Sequence, residues 1–258
     1  MSIASIRVYA ELNDLLPRRL RGTTVLQRLD AAVAVKDLIE RLGIPHTEVD
    51  LILVNGESVG FDHVLGRDAR VSVFPVFESL DISEVQRVRP VPLRRPSFVL
   101  DVHLGRLARY LRMLGFDTLY DRGADDADLA CLASRGRILL TQDRGLLKRK
   151  VVTHGYLVRH RRPRLQAAEV LRRFDLATSV FPFSRCLLCN APLEVLRTGI
   201  IPHTVPPRVR ERCTVFARCS GCGKVFWKGS HHRAMEGTVD AIMAHAFETR
   251  PDETASRR

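Results

Sequence analysis

Two sets of residues in this chain stand at spacings that do chemistry. Cys186-Leu187-Leu188-Cys189 and Cys219-Ser220-Gly221-Cys222 are paired C-x-x-C knuckles. Four thiolates so placed close a tetrahedral site, so the expected ion is a structural zinc with no coordination position left open for catalysis. Cys213, His231 and His232 fit the knuckle spacing less well, and Cys131 falls on the apolar side of a predicted helix, where it reads as a core thiol. The second set is acidic. Asp101, the group Asp125, Asp126 and Asp128, and Asp143 all come just after predicted strands, and in open α/β sheets ligands bind at the carboxyl ends of the strands. Carboxylates within ~4 Å of one another repel by several kcal/mol at an effective dielectric of about 20, so such a cluster persists only with a cation or a captured proton. Oxygen donors of this kind suit Mg²⁺ or Mn²⁺. The plainer account makes Asp126 and Asp143 helix caps and gives Asp101 an arginine partner.

The elements that position these residues follow from hydrophobic period. Ile3 to Leu12 and Thr23 to Leu29 are β-branched and apolar, Val35, Leu38, Ile39 and Leu42 repeat at helical spacing, and Gly43 and Pro45 end that helix. Val49 to Val54 runs into Asn55-Gly56, a strong two-residue hairpin signal, and Val71 to Phe77 is a last strand. This order predicts a β-grasp over residues 1–77. Residues 78–97, with three prolines and four arginines and neither helical nor alternating pattern, are a linker. From Phe98 strands and helices alternate: Phe98 to Leu100, a helix on Leu104, Leu107, Ala108 and Leu111, Phe116 to Tyr120, Asp126 to Ser134, Ile138 to Thr141, Arg144 to Lys150, and a helix over Leu165 to Phe174. That period predicts an α/β domain with a parallel sheet over residues 98–182. The cysteine-rich residues 183–233 form the zinc ribbon, with a hairpin expected between its knuckles, and residues 234–258 a tail.

Charge is uneven along this frame. Residues 1–77 carry a net −1, residues 98–182 and 183–233 carry +7 each, and the tail −2, within a total of +12. The basic excess therefore sits in two adjacent segments, which points to a polyanionic partner met by those two. Arg106, Arg109 and Arg112, opposite the apolar stripe of their helix, are placed to track a phosphate backbone, with Arg144 and Lys148 as further wall and the run Arg159 to Arg164 as a second contact. The plainer account is that these are solvated helix faces. At 6% aromatic residues there is little for bases to stack on, so binding would be mainly electrostatic. No apolar run approaches the ~20 residues of a membrane helix, and Met1 to Arg7 lacks the pattern of a secretory signal. A cytoplasmic protein with reduced cysteines is expected. G-x-G-x-x-G, H-E-x-x-H and G-x-S-x-G are absent, and Val225 after Gly223-Lys224 spoils a Walker A match.

The segments DVHLGRLARYLRMLGFDT, DDADLACLASRGRILLTQDRGLL, FSRCLLCN, VPPRV and CSGCGKVFWKGSHHRAM resemble the Mut-seven C-terminal RNase family, a branch of the PIN-like nucleases whose bacterial members often carry an N-terminal ubiquitin-like domain. LILVNGESVGFDHVLGRDARVSVFPVF likewise resembles the ubiquitin-like sulfur carriers of the ThiS and MoaD type. Those carriers work through a free C-terminal Gly-Gly. Here the last strand runs on into Glu78 and Ser79, so the first domain is expected to serve recognition of a protein partner, or packing. The nuclease resemblance implies a PIN-like fold, RNA as substrate, and a Mg²⁺ or Mn²⁺ site in which Asp101 ends the first strand, Asp126 opens the helix before the third and Asp143 follows in a T-x-D context. A fourth acid, common on a later strand of PIN domains, has no counterpart between Asp143 and Glu169. The competing expectation is a non-catalytic RNA-binding adaptor that uses the ribbon and the arginines, the acids being structural.

Overall fold

Alternating apolar residues of the first strand set the N-terminal fold. The structure is a computed structural model that describes residues 2–29, 32–75, 87–88, 96–196 and 205–247. In it β1 (Ser2–Val8) pairs antiparallel with β2 (Thr24–Leu29), and Ala4, Ile6 and Val8 of β1 are buried in period two. The strand expected to reach Leu12 ends at Val8, because Ala10–Leu15 winds into a 3-10 helix that buries Leu12 and Leu15. In α1 (Val35–Arg41) the stripe Val35, Leu38 and Ile39 is buried. β3 (Leu51–Val54) turns into β4 (Glu57–Ser58) through Asn55 and Gly56, at φ 54° and 95°. Two successive left-handed residues give the turn whose twist matches a hairpin, which is what Asn-Gly allows at low cost. β5 (Arg70–Phe74) lies parallel to β1 and antiparallel to β3, and the order β2-β1-β5-β3-β4 is that of a β-grasp.

The second segment alternates as its period requires: β6 (Phe98–Leu100), α2 (Gly105–Met113), β7 (Thr118–Tyr120), α3 (Asp126–Ser134), β8 (Ile138–Thr141), α4 (Arg144–Leu147), β9 (Gly155–Leu157) and α5 (Pro163–Arg173). Every residue of β6, β8 and β9 is buried, and the three are parallel neighbours. Burial on both faces is why they read as unbroken apolar runs. β9 carries no signal in the sequence, since Gly155-Tyr156-Leu157 is too short to show a period. The third segment holds β10 (Leu193–Val195), α6 (Pro207–Arg212), β11 (Phe216–Cys219), β12 (Val225–Trp227) and α7 (Ser230–Phe247), with β10, β11 and β12 in one antiparallel sheet. The fold is thus α/β: a PIN-like parallel sheet, preceded by a β-grasp and followed by a ribbon. Residues 234–247 of the expected tail continue α7, which buries Val239, Ile242 and Ala246. Residues 248–258, and 78–86 and 89–95 of the expected linker, lie outside the described residues. Among the described residues no helix is long and apolar enough to cross a membrane.

The chain divides into two compact units, Met1–Asp101 with Gly123–Leu157, and Val102–Arg122 with Val158–Arg258. Within the first, β-grasp residues hold the α/β residues by polar contacts. The buried carboxylate of Glu48 accepts a hydrogen bond from Leu157 N, at the carboxyl end of β9, over 2.6 Å. His46 has Nδ1 2.7 Å from Glu40 Oε1 and Nε2 2.8 Å from the Val152 carbonyl. Lys148 Nζ donates to the Glu40 carbonyl at 2.8 Å, and Arg144 Nη1 to the Leu15 carbonyl at 3.2 Å.

Candidate acidic site and cysteine metal centre

Register places the first acid. Phe98 pairs with Ile138, Val99 with Leu139 and Leu100 with Leu140, so the next residues, Asp101 just past β6 and Thr141 as the last of β8, stand at the same end of two parallel neighbouring strands. Thr141 Oγ1 donates to Asp101 Oδ2 at 2.7 Å and accepts the Asp143 backbone N–H at 2.9 Å. One hydroxyl therefore ties together the loops that follow β6 and β8. Asp143 Oδ1 accepts from Gly145 N at 2.7 Å and so caps α4, as the plainer account expects of it. Asp101 is buried, whereas Asp143 is exposed.

Asp126 is placed differently. The cap of α3 is Asp125, whose Oδ1 accepts from Ala127 N and Asp128 N at 2.8 and 2.9 Å while Asp128 reaches back to Asp125 N. This corrects the assignment of the cap to Asp126, whose carboxylate instead meets Arg149 Nη2 at 3.2 Å in a half-exposed ion pair. The structure thus joins Asp101 to Asp143 through Thr141 and sets Asp126 against a guanidinium. Among the described residues the three aspartates do not close into one group of ligand atoms as the cysteines do. Their oxygens are the donors a hard divalent cation prefers, and that of Asp126 is engaged by Arg149. Neither Arg149 nor the bridging part of Thr141 was identified from sequence. The T-x-D spacing was the available signal for Thr141, and a single arginine in Lys148-Arg149-Lys150 carries none.

The cysteine centre is closed. The Sγ atoms of Cys186, Cys189, Cys219 and Cys222 all lie within 4.8 Å of one another, with 3.8 Å between Cys186 and Cys222 and 3.3 Å between Cys189 and Cys219. Tetrahedral zinc with bonds of about 2.3 Å sets its sulfurs about 3.8 Å apart, so these four could hold that ion. Burial pushes the Cys186 thiol up to about 12. The Ala191 backbone N–H, followed by the Cys219 side chain, draws Cys189 down to about 6. Cys213 stands outside the set, with Sγ 3.5 Å from the Lys228 carbonyl, and the ring of His232 packs on Phe183. The spacer between the knuckles holds the β10–β11 pair and α6. Cys131, expected in the core, is exposed: α3 turns Leu129, Ala130 and Ala133 inward, which leaves position 131 pointing away.

The arginines split. Arg106 and Arg109 are exposed on α2 as expected. Arg112 is buried, and this corrects its place in the phosphate row: Nε donates to the Thr118 carbonyl at 2.9 Å, and Nη1 to the Leu188 and Leu187 carbonyls of the first knuckle at 2.8 and 3.3 Å. Burial lowers its pKa below the ordinary arginine value, yet three carbonyl acceptors compensate the buried charge. The Asn190 side chain completes this joint by accepting from Thr118 N at 2.9 Å and donating to Asp117 Oδ1 at 2.8 Å. Gly115, at φ 99°, lets the chain turn out of α2 where the Phe181 carbonyl leaves no room for a Cβ. Arg144, which is exposed, and Lys148 each donate to a β-grasp carbonyl. In the Arg159 to Arg164 run, the backbone N–H groups of Arg159 and His160 donate to the two oxygens of Glu169, at 2.9 and 3.0 Å.

Compared with known families, residues 96–239 match the model described as the Mut7-C RNAse domain, and residues 1–81 the model described as Mut7-C ubiquitin. Neither the curated proteins nor the solved structures yield a match.

Proposed function

Because the chain belongs to the Mut7-C RNase family, we propose that it hydrolyses RNA phosphodiester bonds with a divalent cation, Mg²⁺ or Mn²⁺, held by Asp101, Asp126 and Asp143, and that the four cysteines hold one structural zinc. The supporting observation is the link Asp101–Thr141–Asp143, which fixes two carboxylate-bearing loops at the same edge of adjacent parallel strands. A metal bound there would lower the pKa of a coordinated water and neutralise charge on the phosphate. Thr141 keeps Asp101 Oδ2 at a set position, Asp125 and Asp128 rather than Asp126 cap α3, and Arg106 and Arg109 offer exposed charge to the RNA backbone. On this reading the working domains are residues 1–77, 98–182 and 183–233. The protein acts in the cytoplasm, and its β-grasp faces protein partners.

Labelled tRNA and single-stranded RNA incubated with the pure protein in Mn²⁺, Mg²⁺ or EDTA provide the test. Cleavage that needs the divalent ion and is lost in Asp101→Asn is expected; equal cleavage in EDTA and Mn²⁺, or in wild type and Asp101→Asn, removes the assignment. A second reading, a non-catalytic RNA-binding adaptor, draws support from the Asp126–Arg149 pair, which leaves the three acids ungathered. It expects no metal-stimulated cleavage by the wild type.

A further inference from the structure

We infer that Arg149 is a substrate-phosphate residue that, in the absence of RNA, is parked on Asp126, so that RNA binding and completion of the acidic metal site are coupled through one guanidinium. The inference rests on the nuclease reading above and names a residue that reading does not use. Arg149 Nη2 stands 3.2 Å from Asp126 Oδ2, with side-chain exposures of 41% and 54%. Coulomb attraction at such an exposed pair is screened by water and salt, so the contact is readily exchanged for a better one. The backbone that carries Arg149 is ordered: its N–H donates to Leu146 O at 3.4 Å, and its carbonyl accepts from Val152 N at 3.0 Å. Its guanidinium is thus carried on fixed backbone beside Asp126, with the side chain exposed and able to swing.

The other acids of the site are held by other groups. Asp143 caps α4, Asp125 and Asp128 cap α3, and Asp101 accepts from Thr141. The carboxylate of Asp126 faces a cation of the chain itself. A divalent ion approaching Asp126 meets that positive charge first, which weakens metal binding to the RNA-free protein. A phosphodiester competes for the same guanidinium and offers it two oxygens in the planar geometry arginine favours. Transfer of Arg149 from Asp126 to the phosphate frees an anionic ligand for the metal and binds the substrate with the displaced group. No bond is made or broken in this step, and one ion pair replaces another.

The test measures Mn²⁺ binding to the full chain by calorimetry without RNA, and single-stranded RNA binding by fluorescence anisotropy in EDTA. It compares wild type, Arg149→Gln, Arg149→Lys and Arg149→Gln in an Asp126→Asn background. Arg149→Gln is expected to tighten Mn²⁺ several-fold and weaken RNA several-fold, opposite signs from one exposed substitution. Arg149→Lys should fall between, keeping the charge without the two-pronged geometry. In the Asp126→Asn background the gain in Mn²⁺ affinity should vanish. Unchanged affinity for either ligand in Arg149→Gln, or weaker Mn²⁺ binding, overturns the inference and leaves the nuclease reading standing. A wild type that neither binds Mn²⁺ nor cleaves RNA takes down that reading first, which separates the two failures.

Discussion

Thr141 is the residue on which the acidic edge turns. Its hydroxyl bonds both Asp101 and the Asp143 backbone, so Thr141→Val keeps volume and strand propensity while removing one hydrogen bond from a buried carboxylate and one from an amide. A loss of about 1–3 kcal/mol is expected from such unmade bonds, measured by urea unfolding, together with a fall in metal-dependent cleavage. Asp143→Asn should behave differently. It removes a ligand charge but little volume, and an amide oxygen still caps α4, so folding should persist while cleavage drops by orders of magnitude. Equal activity in wild type and Asp143→Asn would count against that residue as a ligand. Cleavage and unfolding measured on the same two variants separate a scaffold residue from a chemical one.

Among the elements, the first knuckle depends on helix α2 as much as on its own cysteines. Arg112 reaches from α2 to the carbonyls of Leu187 and Leu188, and the buried Cys186, pushed up to about 12 as a thiol, must lose its proton to bind metal. About one zinc per chain is expected by elemental analysis of protein purified without chelator. Chelation or Cys186→Ser should unfold the ribbon, because a three-stranded sheet this small buries too little apolar surface to stand alone. Arg112→Met should also destabilise the ribbon, by about 1–3 kcal/mol for the carbonyls left without donors. Amide exchange over residues 115–118 and 186–190 reads both effects, and an undisturbed pattern after zinc removal would show that the ribbon holds itself together.

At the scale of the whole molecule, the near-neutral charge of residues 1–77 gives the β-grasp little to offer RNA, so it is expected to be dispensable for hydrolysis, while its contacts within the first unit bear on stability. Deleting the β-grasp takes away Glu48 from the end of β9 and His46 from the Val152 carbonyl. It exposes surface that the α/β residues bury in the full chain. Residues 96–258 alone should therefore unfold at a lower temperature than the full chain, which calorimetry can measure; equal midpoints would restore the independent domain. The same joint responds to acid. Burial lowers the pKa of His46 below its ordinary value, outweighing the hydrogen bond to Glu40, which raises it. With the folded value depressed, the unfolded chain takes the proton first, so this stability is present above about pH 6.5 and lost as pH falls. The pH dependence of unfolding between 7 and 5 should flatten in His46→Gln relative to wild type.

Much of this was legible in the amino-acid order. Period-two and helical spacing located the β-grasp and the alternating segment, because a face buried against a core must recur at the period of its element. The paired C-x-x-C spacing marked the four cysteines that could hold a metal, because two residues between thiolates is a local geometry that survives any tertiary arrangement. The places of Asp101 and Asp143 just past strand ends are legible for the same local reason. Tertiary structure alone decided the partners of the long, charged side chains. Arg112, Arg144 and Arg149 belong to one residue type at similar surface-like spacings, yet they reach a knuckle, a β-grasp carbonyl and an aspartate. A flexible guanidinium spans several ångströms, and which acceptor lies within that reach depends on chain segments distant in sequence: 76 positions for Arg112 and Leu188, 129 for Arg144 and Leu15, 23 for Arg149 and Asp126.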